Sequence, residues 1–374
     1  MATANRKVAE AKSRIGSTAA VNLSGAVAAP LPNWVEPELS TLAAAPPSGR
    51  DWVHEIKFDG YRILARVDQG KVKLFTRRGN DWTLRIPVLA EAMQTIPVKT
   101  ALLDGELVAL DARGMSDFQR LQDALSRGPA RQVSFLVYFA FDLLYLDGVD
   151  LRGVGLAKRK ALLGQTLARV PPQASSTLRL SDHVIGQGPA FFAQAARMGL
   201  EGIVSKQLDA PYRSGRSRHW LKVKCSQRQE FVVVGFTDPK GSRSLLGALL
   251  LATHTETELV YRGRVGTGFG ENSLRDLQRK LAPLQGSQPA LARAPSGAEV
   301  RAVHWVKPRL VAEVSFAGFT QDGLIRHATF VGLREDKAAS EVTLEGASSS
   351  PPSSVNAGRS GHTGAGGFAA RRPK

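Results

Sequence analysis

The chain has a single cysteine, Cys225, in 374 residues. That rules out an internal disulfide and any zinc site built on several thiolates, and it fits the reducing interior of a cell. Long apolar runs are also missing. The densest, Phe135 to Leu146, is broken by Asp142 and is far shorter than a membrane span requires, so it reads as a buried strand. The N-terminus is rich in Ala with Arg and Lys but has no solid apolar core, so residues 1–30 read as a disordered basic leader and not as a transit peptide. No internal repeat is visible. Acids are the minority charge, with 33 Asp and Glu against 50 Lys and Arg and a net charge of +17. Residues 346–374 carry Arg359, Arg371, Arg372 and Lys374 with no acid in a Ser-, Pro-, Gly- and Ala-rich setting, which predicts a disordered basic tail. Leader and tail hold less than half of the excess, so the body between them is itself basic. A basic body points to a polyanionic partner, most simply nucleic acid.

The residues present fit two domains with real cores. Pro30, Pro32, Pro37, Pro46 and Pro47 mark an irregular opening. Beyond Trp52, strands and helices alternate. Residues 63–67 and 72–75 read as a hairpin around Gln69-Gly70, and residues 102–110 and 136–144 as strands. Residues 190–199 read as a helix leading into a strand at 202–206, and 221–224 as a further short strand. After Cys225 the pattern changes. Residues 230–237, 248–253, 259–265 and 310–316 are strand-like, with one helix over 273–281 that Pro283 ends. Strands with one inserted helix predict a small closed barrel such as an OB-fold.

The most informative segment is Glu55-Ile56-Lys57-Phe58-Asp59-Gly60-Tyr61-Arg62. The Lys57 amine can act as a nucleophile. Gly60 lets backbone approach a ligand closely, and Arg62 can hold an oxygen-rich group with its forked donors. Alone, a K-x-D-G run is equally a strand ending in a turn. The polar residues downstream of it narrow the choice. Thr76-Arg77-Arg78-Gly79 closes the hairpin. Leu103-Asp104-Gly105-Glu106 ends a turn with a carboxylate in an apolar strand. Tyr138-Phe139-Ala140-Phe141-Asp142 offers an aromatic face. Glu201-Gly202-Ile203-Val204-Ser205-Lys206 sets a second carboxylate before a strand. Gly215-Arg216-Ser217 precedes Trp220-Leu221-Lys222-Val223-Lys224, whose two lysines point the same way.

This ordered set resembles the covalent nucleotidyltransferases, and among them the ATP-dependent DNA ligases, with most likeness to the ligase module of bacterial end-joining ligases of the D type. Residues 236–243, 263–269, 305–308 and 333–337 resemble that module's barrel, and the resemblance covers about residues 30–345. Six motifs in order are specific where one would be weak. The resemblance implies an α+β, two-domain chain: an antiparallel-sheet adenylation domain over 31–227, followed by an OB-fold barrel over 228–345. In one departure, the arginine-asparagine-glycine turn usual in the family is Arg77-Arg78-Gly79 here. The phosphoesterase and polymerase modules often fused to such ligases have no room in these residues, so the resemblance implies sealing and not end-processing.

It further implies that Lys57 attacks the α-phosphorus of ATP. A free lysine has a pKa of about 10.4, so burial and the cations Lys222 and Lys224, with a divalent metal, are expected to lower it. Glu55 and Ile56 would lie along the adenine and Phe141 would stack on it. Arg62 and Glu106 would hold the ribose. Arg77 and Arg216 would contact phosphates, and Lys222 the α-phosphate with Lys224 in support. Glu106 and Glu201 would bind Mg2+ or Mn2+. Arg334, Asp336 and Lys337 would close the barrel over ATP, with a hinge near Cys225–Arg228. For Asp59 a structural hydrogen bond is the leading expectation. An unpaired Glu106 in an apolar strand is costly, which favours a ligand or metal role without the family pattern.

The implied partners are nicked or broken DNA and a Ku-type end-binding protein, with a monomer in the bacterial cytoplasm at the nucleoid and no membrane. Two alternatives stay open at this level. One is an RNA ligase or capping guanylyltransferase, which also uses a K-x-D-G lysine. The other is a non-catalytic nucleic-acid-binding protein that kept the fold.

Overall fold

The computed structural model describes residues 22–126, 128–130, 134–239, 245–295 and 303–345. Residues 1–21 of the expected leader, the tail 346–374 and the segment Lys240-Gly241-Ser242-Arg243 lie outside the described residues. Residues 22–30 depart from the expected leader. Val27–Ala28 is a short strand paired antiparallel with Val149–Asp150, so the end of that segment belongs to a sheet.

Two sheets dominate the N-terminal region. The first runs in the order Val27–Ala28, Val149–Asp150, Leu136–Leu146, Thr100–Ala109, Tyr61–Asp68, Lys71–Thr76, with Leu178–Leu180 added parallel to Leu136–Leu146. The hairpin at Gln69-Gly70 forms as expected and joins Tyr61–Asp68 to Lys71–Thr76. Period-two alternation divides this sheet cleanly. Tyr61, Ile63, Ala65 and Val67 face a core closed by Leu89 and Met93 of the helix Pro87–Gln94 and by Phe118, Leu121 and Leu125 of the helix Phe118–Ser126. A fully buried leucine there stabilises by about 2 kcal/mol. Arg62, Leu64 and Arg66 alternate with these residues and face the other way.

The second sheet runs His183–Ile185, Trp52–Ile56, Gly202–Gln207, Gly215–Lys224, Glu38–Leu42. One of its faces is covered by the helix Gly188–Arg197, where Phe191, Phe192 and Ala195 meet Ile203 and Val223. Its other face opens toward the first sheet. There Tyr212 and Trp220 join Leu64, Leu102, Phe141 and Leu144 in a bridging cluster that fixes the spacing of the two sheets.

One motif sits differently from its sequence reading. Gly105 and Glu106 do not follow a turn; they lie within the strand Thr100–Ala109. Gly105 is there because the Tyr138 ring crosses it. A β-carbon at 105 would stand 2.3 Å from Tyr138 Cζ, and Tyr138 donates its hydroxyl to the Ile63 carbonyl at 2.9 Å.

The C-terminal region is a curved antiparallel sheet in the order Leu259–Val265, Leu249–His254, Arg228–Thr237, Val303–Val306, Gln285–Gly286. Val311–Ser315 also pairs with Arg228–Thr237 and carries Thr329–Leu333 on its other side. The helix Glu271–Leu281 plugs the curve with Leu274, Leu277 and Leu281 against Phe231, Val265, Val314 and Phe330. This is the OB-type barrel that the strand pattern predicts. It docks on the first sheet through Thr329–Leu333, which meets the helix Phe118–Ser126; Gln122 Nε2 donates to the Leu333 carbonyl. Among the described residues no helix is long and apolar enough to cross a membrane.

Candidate active site

Strand register gathers the predicted residues. Glu55, Val204 and Lys222 are in-register neighbours across the second sheet, and Gly202 pairs with Lys224. Lys57 follows two residues after Glu55 and donates its backbone N–H to the Gly202 carbonyl at 3.0 Å. Glu55, Lys57, Lys206, Lys222 and Lys224 therefore share the face that opens toward the first sheet, whereas Ile56 alternates to the helix-covered side. Across the gap, Glu106 lies opposite both Arg62 and Phe139 in the first sheet.

Lys57 donates Nζ to Glu201 Oε1 at 2.5 Å; its side chain is 24% exposed and that of Glu201 is 5% exposed, so the amine is reachable and its partner is not. The sequence reading expected a lowered pKa. Burial does push it down, but Glu201, aided by Glu313 and Asp59, outweighs burial and raises the amine above its ordinary value. Lys224 donates its Nζ to the Arg228 carbonyl at 2.5 Å. Asp59 makes the expected hydrogen bond, accepting from Arg228 Nη2 at 2.7 Å. Its other oxygen, Oδ1, and Glu201 Oε2 are buried without a donor among the described residues. Burial, reinforced by Glu313 and only partly offset by Arg228, pushes Asp59 up to about 7.

Glu106 is partly buried and has no direct ion pair among the described residues. Burial pushes it up to about 8 against the pull of Arg334, Lys57 and Arg62. Arg62, expected with it at the ribose, bonds Asp104 through Nε and Nη2 at 2.8 and 2.5 Å and the Glu38 carbonyl through Nη1 at 2.9 Å. Asp104 and Glu106 are both within reach of one face because they are two apart, a signal the period-two reading could have used.

Glu55 is buried and holds Lys160 at 2.8 Å and Lys206 and Ser181 at 3.0 Å. Burial opposes its ionisation, but the two ammonium groups hold its pKa below the usual range. Phe141 is 8% exposed, with Lys206 Nζ 4.2 Å and the Arg62 guanidinium 4.9 Å from its ring centre. Phe139, two residues earlier, is partly exposed and stacks on Phe58 at 4.0 Å. Gly60 serves packing, since a β-carbon there would lie 2.1 Å from the Leu107 carbonyl oxygen. Arg77 is half-buried, with its nearest acid, Glu341 of the barrel, at 3.6 Å. Arg216 is exposed on the Ser40 carbonyl at 2.7 Å and stands apart from the Lys57 cluster.

The barrel's charged residues reach the same cluster. Arg334 bonds Asp336 twice at 2.9 Å and Glu313 at 2.9 Å, and its guanidinium lies 5.8 Å from the Tyr61 ring and 5.1 Å from the Phe118 ring. Lys337 pairs with Glu230 inside the barrel. Arg85 of the N-terminal region and Lys280 of the barrel share Glu335 at 2.7 and 2.6 Å. A cavity of about 390 Å³ lies beside this clasp, with Tyr61, Gln122, Leu277 and Glu335 on its wall. Lys57 is not on that wall, so the chemistry is marked by the charge cluster and not by this cavity.

A lysine between two sheets, flanked by acids and faced by the barrel, is the arrangement expected of the covalent nucleotidyltransferases. Residues 40–224 match the family described as ATP dependent DNA ligase domain, and residues 242–337 match the ATP dependent DNA ligase C terminal region. The chain is 44% identical over 86% of its length to the multifunctional non-homologous end joining protein LigD of Pseudomonas aeruginosa, and 37% identical over 79% to that of Mycobacterium tuberculosis. It spans 38% and 37% of the length of these two relatives. A solved structure of mycobacterial DNA ligase D complexed with ATP and MES is 33% identical, with a TM-score of 0.64 over 83% of this chain and 98% of that one. The chain thus belongs to the ATP-dependent DNA ligases, enzymes that form phosphodiester bonds.

Proposed function

We propose that this chain seals breaks in duplex DNA through a lysyl-AMP intermediate on Lys57, as the sealing unit of bacterial non-homologous end joining. The observation that carries the reading is the Lys57–Glu201 contact at 2.5 Å beside two buried carboxylate oxygens without donors, Asp59 Oδ1 and Glu201 Oε2. Unpaired buried acceptors next to a held ammonium cost free energy, and a bound cation or nucleotide would offset that cost.

In the first step the Lys57 amine, once it has passed its proton out of the Glu201 contact, attacks the α-phosphorus of ATP and pyrophosphate leaves. Lys222 and Lys224 stabilise charge on the α-phosphate, and Arg77 and Arg216 contact phosphate oxygens, the latter after leaving Ser40. Glu55 and the Ile56 backbone line the adenine, with Phe141 packing on the base. Arg62, set by Asp104, and Glu106 orient the ribose. Glu201, whose Oε2 has no donor among the described residues, and Glu106 would hold a divalent cation, Mg2+ or Mn2+, which would neutralise phosphate charge and weaken the hold of Glu201 on the amine. Arg334, Asp336 and Lys337 act in the closed arrangement over the leaving pyrophosphate. In the second step AMP passes from Lys57 to a DNA 5′-phosphate. In the third, a 3′-hydroxyl attacks the activated end and AMP leaves.

The boundary near residue 227 and the hinge at Cys225–Arg228 belong to this reading, since the barrel must turn to meet DNA. So do a Ku-type partner, a monomer, and work in the cytoplasm at the nucleoid; the LigD relatives named above support the pathway. Incubation with α-labelled ATP, and GTP in parallel, with Mg2+ tests the core. A labelled band from ATP that chases onto nicked DNA is expected. Label from GTP alone would point to capping, and no label from protein free of bound AMP would overturn the reading.

A further inference from the structure

Glu313 is a lone acid in the apolar strand Val311–Ser315 of the barrel, with a side chain 5% exposed. Its two oxygens serve two arginines. Oε2 accepts from Arg334 Nη1 at 2.9 Å, and Oε1 forms an ion pair with Arg228 Nε at 2.8 Å. Each arginine then reaches the N-terminal region. Arg228 donates to Asp59, two residues beyond Lys57, at 2.7 Å, and Arg334 lies over Tyr61 and Phe118. Burial alone would discourage ionisation, but Arg334 and Arg228 hold the Glu313 carboxyl at about 2, so its charge is permanent in the working range. None of the motifs read from the sequence includes it.

We infer that Glu313 is a positioning residue for lysine adenylylation: it holds Arg228 and Arg334 on its two oxygens, so that closure of the barrel presents Arg228 to Asp59 and Arg334 to the mouth of the nucleotide site. The inference rests on the ligase reading and deepens it. Without the shared carboxylate the two arginines repel each other, and each is left to find its own partner. On that reading, closure serves the attack on ATP, and the barrel turns away for the final sealing. The clamp should therefore matter for one step only.

Glu313→Gln keeps the shape and removes the charge. Its rate of self-adenylylation from ATP should fall on the order of 10- to 100-fold, as expected for loss of one buried charge partner. Sealing of a chemically pre-adenylylated nick, which bypasses the first step, should stay within about threefold of wild type. Glu313→Asp should recover a large part of the adenylylation rate. Equal losses in both assays would mean that Glu313 only holds the fold, and would overturn the inference, as would an unchanged adenylylation rate. An Asp variant no better than Gln would also overturn it, since charge would then not be what acts. No label in the wild type would overturn the ligase reading and this inference with it; label in the wild type with an unaffected Gln variant would overturn the inference alone.

Discussion

Two ion pairs of the N-terminal region make an instructive contrast. Arg159 and Asp142 are both fully buried, joined by two bonds at 2.7 and 2.8 Å, and Arg159 Nη1 also reaches the Val154 and Ala210 carbonyls. Lys57 and Glu201 share one contact, and Glu201 Oε2 and the nearby Asp59 Oδ1 have no donor among the described residues. The first pair is saturated and ties the helix Leu156–Leu167 to the strand Leu136–Leu146. The second is incomplete and half-open. A saturated pair resists change; an incomplete one is ready for a ligand.

The largest effects should separate the two pairs. Lys57→Ala should reduce covalent AMP labelling below detection while lowering the denaturation midpoint much less than Arg159→Met does, because the Lys57 end of the pair is partly open to water. Arg159→Met should do the reverse, costing about 3–5 kcal/mol of unfolding free energy by leaving Asp142 buried and uncompensated. Labelling lost in both with stability unchanged in both would erase the distinction. Next in size, Glu201→Gln should slow adenylylation on the order of a hundredfold and let the Lys57 amine titrate lower, because the main group holding its proton is gone. A rate equal to wild type at saturating Mg2+ would remove Glu201 from the site.

The surroundings of the two pairs should also respond oppositely to pH. Asp59 and Glu106 are raised to about 7 and about 8, so the folded chain binds their protons more tightly than the unfolded chain does. Their contribution to stability is complete below about pH 4 and is lost as pH rises through 7 to 8. Asp142, opposed by burial but held below its ordinary value by Arg159, contributes above that value and is lost on acidification. The ligand-free protein should thus weaken between pH 5 and 8, and Asp59→Asn should flatten that slope; an unaltered slope would show that Asp59 does not titrate there. The smallest effect is expected at the clasp. Arg85 and Glu335 are each about one-third exposed, and Arg85→Ala should change adenylylation by no more than about threefold.

The contrast also explains how much of the site is legible in the chain itself. Motifs whose residues lie two apart on one strand or just past its end, such as Lys222 with Lys224 or Glu55 with Lys57, are readable because alternation fixes a shared face. The barrel and its inserted helix are readable from periodicity and Pro283. Partners brought in from afar are not. Nothing near Arg62 in sequence says that Asp104 takes it, or that Lys160 and Lys206 converge on Glu55. The lowered pKa expected for Lys57 fails for the same reason, since it counts nearby lysines and not the acids Glu201 and Glu313 that folding brings up. One signal is available: Glu313 is the single acid of an apolar strand, and Glu106, two residues from Asp104, is likewise an acid in an apolar strand; the cost of burying such a group marks both.

Mapping of the adenylylated residue by mass spectrometry, after brief incubation with ATP and Mg2+, is the most direct trial of the contrast. AMP on Lys57 alone, absent from the fully paired Lys160 and Lys206, is the expected result. AMP on another lysine of this face, or on none in protein that still binds ATP, would contradict it.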